Sequence, residues 1–143
     1  MAPSAAELFE PSSPLGRRLA GSLDPVGAAR RLVTQLSEAE KVQTLNAHPR
    51  IGERRDRISA SSRAEQGEDE APLELERLNQ EYERRFGFRF VVFVNGRSKA
   101  EITEVLRERL GKGRADEIDT GLTAIVDIAA DRLRKLEAGA AQP

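Results

Sequence analysis

One stretch of this sequence has the composition of a β-strand, and nothing else in the chain resembles it. Phe88 to Val94 is rich in aromatic and β-branched residues, and Asn95-Gly96, a pair typical of tight turns, follows directly. An isolated strand leaves its backbone N–H and C=O groups without partners. The sequence therefore predicts an all-α fold that contains one extended segment. Such a segment is a good candidate for lining a ligand pocket with backbone groups.

The rest of the chain carries apolar residues at helical spacing, and several helix starts are marked by capping residues. Asp24 precedes Pro25, which places an N-cap acceptor before a proline in the first turn. Ser37 and Ser98 each stand three residues before a glutamate, which is the spacing of a capping box. Another amphipathic helix should end at Gly87. We find no repeat or linker, so residues 1–143 are predicted to form a single helical-bundle domain.

Composition restricts the class of protein further. The 23 basic and 24 acidic residues give a net charge of −1, which gives no reason to expect nucleic acid or a membrane as a partner. The absence of cysteine excludes disulfides, thiolate nucleophiles and zinc sites of the cysteine type. A single histidine also excludes a histidine-rich metal site within one chain. With neither a membrane-length apolar run nor a signal pattern, we expect a cytoplasmic protein.

The single histidine, His48, is followed directly by Pro49. An imidazole can give or take a proton near neutral pH. Proline disfavours the helical conformation in the residue before it, so a helix that approaches from the N-terminal side should end near His48. The ring would then lie at a helix end, where histidine can serve as a catalytic group or as a packing or capping residue. These residues alone leave both interpretations open.

A second polar cluster follows at Ser62, Glu65 and Gln66. Ser62 and Glu65 have the spacing of a capping box, which is a purely structural interpretation. The same cluster offers a hydroxyl, a carboxylate, an amide and exposed N–H groups at a helix start, a combination suited to an anion or a polar planar ligand. The two interpretations are compatible, and the spacing does not choose between them.

Three groups of residues together closely resemble the OHCU decarboxylase family. They are Ala47-His48-Pro49-Arg50-Ile51-Gly52, then Ser62-x-x-Glu65-Gln66, then Leu78-Asn79-x-x-Tyr82-x-x-Arg85-Phe86-Gly87-Phe88-x-Phe90-Val91-Val92. They occur in the family's order and at its approximate spacing, and the resemblance extends over essentially the whole chain. It implies a carboxy-lyase that converts 2-oxo-4-hydroxy-4-carboxy-5-ureidoimidazoline (OHCU) to (S)-allantoin, the last step of urate degradation.

The resemblance also implies an all-α homodimer without cofactor or metal, with the substrate bound between helices. Carried over by motif, His48 corresponds to the catalytic proton donor and Glu65 to its carboxylate partner. Phe93 stands where the family often has a smaller residue, which leaves the local pocket shape open. The implied substrate-binding positions are Pro49, Ser62, Arg63, Ala64, Glu65, Gln66, Phe90, Val91, Val92, Phe93, Val94 and Arg132 on the last helix.

Two other classes of function use the same residues differently. A helical binding module that has lost activity would need neither His48 nor Glu65, and the presence of both together with Gln66 argues against it. A hydrolase of a related ureido compound would use His48 and Glu65 to activate water. Its products would be ammonia or a ring-opened acid instead of CO₂, so the product distinguishes the two enzymes.

Overall fold

The computed structural model describes residues 3–51 and 71–140, and these residues contain helices but no strand. The predicted all-α fold is confirmed. The helices, numbered here in chain order, are α1 (Ala5–Leu8), α2 (Pro14–Leu19), α3 (Pro25–Leu32), α4 (Glu38–Ala47), α5 (Ala71–Phe86), α6 (Lys99–Leu110) and α7 (Arg114–Ala140).

Helix α7, with 27 residues, is the element against which α1, α3 and α4 pack, while α5 and α6 pack against each other. Buried apolar side chains from all seven of these helices form one cluster. Tyr82, Leu45, Ile102 and Leu122 are among its fully buried members. Burial of each such side chain contributes roughly 1.5–3 kcal/mol relative to leaving it exposed, so this cluster is the main source of stability.

The helix starts expected at Asp24, Ser37 and Ser98 are confirmed. Ser37 Oγ accepts a hydrogen bond from the backbone N–H of Glu40, and the Glu40 carboxylate accepts one from the Ser37 N–H, both at 3.1 Å. Ser98 and Glu101 repeat this arrangement at the start of α6, and Asp24 caps α3 through its side chain. The backbone hydrogen bond from Ser37 holds the pKa of Glu40 below its ordinary value.

The end of α4 is also as predicted, because the helix stops at Ala47 and His48 is its extended C-cap, with φ −75° and ψ 138°.

The close contact between α4 and α7 depends on a glycine in α7. A Cβ at Gly121 would come within 2.7 Å of Cδ2 of Leu45, which is fully buried. Since Leu45 lies one helical turn before His48, this close contact contributes to the position of the end of α4.

The extended segment begins after α5, which ends at Phe86 as predicted from Gly87 with its φ of +83°. Residues 89–94 are neither helix nor strand. Asn95 and Gly96 have φ values of 49° and 77°, the positive pair required at the centre of a type I′ turn. This turn leads into α6 instead of a second strand, so the segment remains unpaired within the part of the chain that the structure describes.

Candidate active site

A cavity of about 530 Å³ lies between the end of α4, the extended segment and α7. Its volume is in the range typical of small-molecule sites. The lining includes His48, Pro49, every residue of Phe90 to Val94, and Arg132. The structure thus brings together all the sequence-predicted site residues that fall within the residues it describes. Glu65 and the rest of the predicted cluster at 62–66 lie outside the described residues.

His48 is held in place from both directions along the chain. Its backbone N–H donates to the Leu45 carbonyl at 3.2 Å, and its own carbonyl accepts from Arg89 Nη1 at 2.9 Å. The backbone N–H of Arg89 in turn donates to Asn46 Oδ1 at 2.9 Å. These bonds join the end of α4 to the start of the extended segment.

Arginine side chains donate hydrogen bonds to backbone carbonyls of the extended segment, which has no neighbouring strand among the described residues. Arg109 Nη1 donates to the Val91 carbonyl at 2.7 Å. Arg97 donates through its guanidinium to the carbonyls of Phe93 and Val94, the latter at 3.1 Å from Nε. The Val91 and Phe93 carbonyls therefore accept hydrogen bonds from charged side chains, which are stronger than neutral ones, while the Val94 carbonyl also accepts one from the Arg97 backbone N–H at 3.0 Å.

Arg109 belongs to a buried polar network behind this wall. Its Nε donates to Glu117 Oε1 at 2.7 Å, and Tyr82 Oη donates to the same oxygen at 2.5 Å. The guanidinium also lies over the Phe90 ring, 4.6 Å from the centroid. Burial raises the pKa of the Tyr82 phenol well above its ordinary value, and the hydrogen bond to Glu117 raises it further. The phenol is therefore a stable donor at neutral pH.

The described lining of the cavity is strongly cationic, with Asp131 as its one acidic residue. Arg50 is bound to Glu83 at 2.7 Å, and Lys135 is bound to Asp131 at 2.9 Å. That hydrogen bond from Lys135 lowers the pKa of Asp131. The basic residues in the lining are Arg50, Arg97, Lys99, Arg132 and Lys135. This balance suits an anionic ligand.

A smaller cavity of about 270 Å³ lies on the other side of His48, Pro49 and Arg132, between these residues and the N-terminal part of the chain. Arg132 Nη1 donates to the Leu8 carbonyl at 3.3 Å, so α1 helps to hold this arginine at the boundary of the two cavities. Arg132 is thus a shared wall residue, and its orientation depends on the N-terminal helix.

Neither a membrane span nor a metal cluster is found within residues 3–51 and 71–140. No helix there is both long and apolar enough to cross a membrane. No three histidine, aspartate or glutamate side chains there lie close enough together to hold a metal ion. The described polar groups of the cavity are mostly cations and backbone groups, which suit an anion or an amide better than a metal ion.

Several supporting residues were not predicted from the sequence. Arg109 was missed, although Ile102, Leu106 and Arg109 follow each other at helical spacing, which places a charged residue on an apolar stripe. Glu117, adjacent to the core residue Ile118, gives no comparable signal. Arg89 interrupts the aromatic run between Phe88 and Phe90, but its contact with His48 could not be read from spacing.

The family model described as OHCU decarboxylase matches residues 6–134 of this chain. Among curated relatives, the 2-oxo-4-hydroxy-4-carboxy-5-ureidoimidazoline decarboxylases of Halalkalicoccus jeotgali and Haloferax volcanii are 31% and 34% identical over 115 and 113 residues. These matches cover 76% and 74% of this chain but 65% and 67% of the two relatives. The uric acid degradation bifunctional protein PucL of Bacillus subtilis is 32% identical over 139 residues, which cover 88% of this chain and 28% of that protein.

Solved structures share the fold. A crystal structure of OHCU decarboxylase in the presence of (S)-allantoin superposes with a TM-score of 0.66 and 26% identity, covering 87% of this chain and 91% of that one. A crystal structure of (S)-allantoin synthase, at 20% identity, covers 92% of this chain and 48% of that one with a TM-score of 0.64, and it supports the fold alone. The matched family model, the curated relatives and the shared fold agree: this chain belongs to the OHCU decarboxylase family.

Proposed function

We propose that this protein decarboxylates OHCU to (S)-allantoin in urate degradation, with His48 as the proton donor and Glu65 as its carboxylate partner. The observation that carries the proposal is the convergence of His48, Pro49, the extended segment and Arg132 on one cavity of about 530 Å³. Two kinds of relative support the choice of substrate: decarboxylases named for OHCU, and a similar crystal structure obtained in the presence of (S)-allantoin.

The reaction needs orientation, charge stabilisation and one proton. Breaking the bond between the ring carbon and the carboxylate releases CO₂ and leaves an electron pair, which the adjoining C=N of the substrate accepts. Because the substrate supplies its own electron sink, the proposal needs no cofactor. A proton must then be delivered to one face of the planar intermediate, since the product is chiral. Histidine is the side chain best suited to this proton transfer near neutral pH.

The lining residues have chemistry that matches this substrate. The fork of donors on Arg132 can hold the carboxylate or the ureido group. The extended segment offers backbone groups of Phe90 to Val94 to the ureido and ring amides. Pro49 and residues 62–66 complete the proposed set of substrate contacts, and Glu65 would orient or polarise His48. The cationic lining supports binding of an anion.

The test is to add the protein to freshly generated OHCU and to follow both CO₂ release and the circular dichroism of (S)-allantoin. His48→Ala should lower the catalysed rate by about 10²–10⁴-fold, because it removes the proton donor. Lys112→Ala is a matched control, since Lys112 is exposed between α6 and α7 and is not in the described lining of the cavity. Helical circular dichroism would show that both variants remain folded.

Three outcomes would contradict the proposal in whole or in part. Racemic allantoin at the uncatalysed rate from the wild type would mean that the protein does not perform this reaction. Ammonia or a ring-opened acid without CO₂ would instead identify a hydrolase that uses the same residues. Full activity in His48→Ala would leave the decarboxylase in place but remove His48 as its proton donor.

We further propose that the enzyme is a cytoplasmic homodimer, as the family resemblance and the composition of the sequence suggest. Light scattering on the purified protein should give a mass near twice the 15.8 kDa of the chain. A mass equal to that of one chain at working concentrations would contradict the dimer. Fractionation of the source cells would test the compartment separately.

A further inference from the structure

Arg109 lies behind the cavity wall, on the side away from the proposed substrate. It lines an open groove of about 690 Å³ together with Val92 and Phe93, whereas the described lining of the 530 Å³ cavity does not include it. From that side it donates to the Val91 carbonyl at 2.7 Å and covers the Phe90 ring. One side chain therefore contacts two consecutive residues of the cavity wall.

Arg109 is itself held rigidly. Its side chain is 9% exposed, and it is paired with Glu117, which is 1% exposed and also accepts from Tyr82. Glu117 lies in the first turn of α7, so the network connects that helix through α6 to the extended segment. Two donors in the fixed fork of a guanidinium thus set the position of the Val91 carbonyl relative to α7.

Stability alone is a poor explanation for this arrangement. Replacing a buried ion pair by well-packed apolar residues is often neutral or stabilising, because two charges have to be removed from water. Unlike an apolar residue, a buried arginine can donate a directed hydrogen bond to a backbone carbonyl. In a segment without a neighbouring strand, that bond fixes the orientation of the Val91 peptide, and through it the peptides on either side.

We propose that Arg109 is a positioning residue, which acts through Val91 to orient the peptide groups of the extended segment towards the substrate. This inference rests on the proposed function, because it takes the substrate to be the ligand that those peptides meet. Arg109 touches only the rear of the wall, and its effect on the reaction is indirect.

The first test is Arg109→Lys, which keeps a cation beside Glu117 but loses the fork that also reaches Val91. We expect KM for OHCU to rise about tenfold while kcat changes by less than about twofold, because misplaced wall contacts weaken ground state and transition state alike. The double variant Arg109→Met/Glu117→Gln removes both charges together, so it leaves no unpaired buried charge. It should show the same rise in KM.

Thr103→Val is the matched control. Thr103 is buried on the same helix, and its hydroxyl donates to the Lys99 carbonyl at 2.7 Å, but it lines none of the cavities described above. It should lose some stability and keep the wild-type KM. Wild-type KM in both Arg109 variants would overturn the proposal, and so would an equal rise of KM in Thr103→Val.

Amide hydrogen exchange separates this inference from the proposed function, because it needs no substrate. Exchange over residues 89–94 should be faster in Arg109→Lys than in Thr103→Val, under conditions where both variants are fully folded. Equal exchange over that segment would overturn the positioning role, even if the wild type proves active. An inactive wild type with faster exchange in Arg109→Lys would instead leave the positioning of the segment in place and overturn the proposed function.

Discussion

Among single residues, Tyr82 offers a direct spectroscopic measurement of the buried network formed with Arg109 and Glu117. It is the only tyrosine in the chain, and the chain has no tryptophan, so the absorbance of a phenolate reports on this residue alone. Burial raises the pKa of its phenol above the ordinary value of 10.0, and the hydrogen bond to Glu117 adds to the effect. Ionising it in the folded state would place a second negative charge beside a buried carboxylate.

The stability of the folded protein should therefore decrease above pH 10. The folded state holds its proton more tightly than the unfolded chain, so this contribution is complete below the ordinary pKa of 10.0 and is lost as the pH rises above it. Phenolate absorbance should appear together with the loss of helical circular dichroism. If the absorbance rises near pH 10 while the helices remain intact, the Tyr82 phenol is not protected as described. Tyr82→Phe should lack this alkaline loss of stability.

At the scale of elements, the contact between α4 and α7 decides where His48 lies. Gly121 lets Leu45 approach α7 more closely than any residue with a Cβ would allow. The capping box at Ser37 fixes the start of α4, and Pro49 fixes its end at His48. The helix is therefore defined by local sequence at both ends, and its close contact with α7 depends on one glycine in that helix.

Gly121→Ala should lower both the free energy of unfolding and the rate on OHCU. Overpacking destabilises by about 1–3 kcal/mol, and the higher helix propensity of alanine stabilises by about 1 kcal/mol. We therefore expect the free energy of unfolding to fall by up to about 2 kcal/mol. The displaced α4 should also carry His48 away from its position at the cavity. Denaturant unfolding and kcat measure the two effects.

Gly139→Ala is the matched control for this change, because a Cβ at Gly139 on the same helix would meet nothing within 4 Å. That variant should be neutral or slightly stabilised, with unchanged kcat. Wild-type stability and activity in Gly121→Ala would mean that the contact between Leu45 and Gly121 does not set the position of α4.

At the scale of the whole molecule, the charges are balanced overall but unevenly placed. The chain has a net charge of −1, yet the described lining of the cavity carries five basic residues and one acidic residue. A concave, cationic site in a nearly neutral protein attracts anions locally, while the rest of the surface has no excess of positive charge that would bind nucleic acid. This distribution is invisible in the composition.

We expect kcat/KM for the anionic substrate to fall several-fold as salt rises from about 0.01 M to about 0.5 M, because the Debye length shrinks from roughly 30 Å to a few ångströms. Lys135→Gln should weaken this dependence and leave kcat nearly unchanged, since Lys135 lies at the cavity and is mostly exposed. Lys112→Gln removes the same charge from an exposed residue outside the described lining of the cavity and should keep the wild-type salt dependence. A kcat/KM that does not vary with salt would contradict electrostatic attraction by the cavity.

Features that depend on neighbouring residues could be predicted from the sequence. Helix starts at Asp24, Ser37 and Ser98 were predictable because a cap bonds to a backbone group two or three residues away. The end of α4 at His48 followed from Pro49, and the extended segment followed from its composition and the lack of a second strand. The family resemblance named further site residues, and those within the described residues line one cavity.

The side chains that support that cavity could not be predicted in the same way, because they come from distant parts of the chain. Tyr82 and Glu117 are 35 residues apart and Arg109 and Val91 are 18 apart, and no local rule relates their spacing. Arg109 takes part because the packing of α5, α6 and α7 buries its guanidinium between the Glu117 carboxylate and the Val91 carbonyl. Spacing in the sequence shows which side chains share a helix face. The packing of helices decides which distant groups meet. Here that packing brings Arg109 to the Val91 carbonyl, which has no neighbouring strand to bond to.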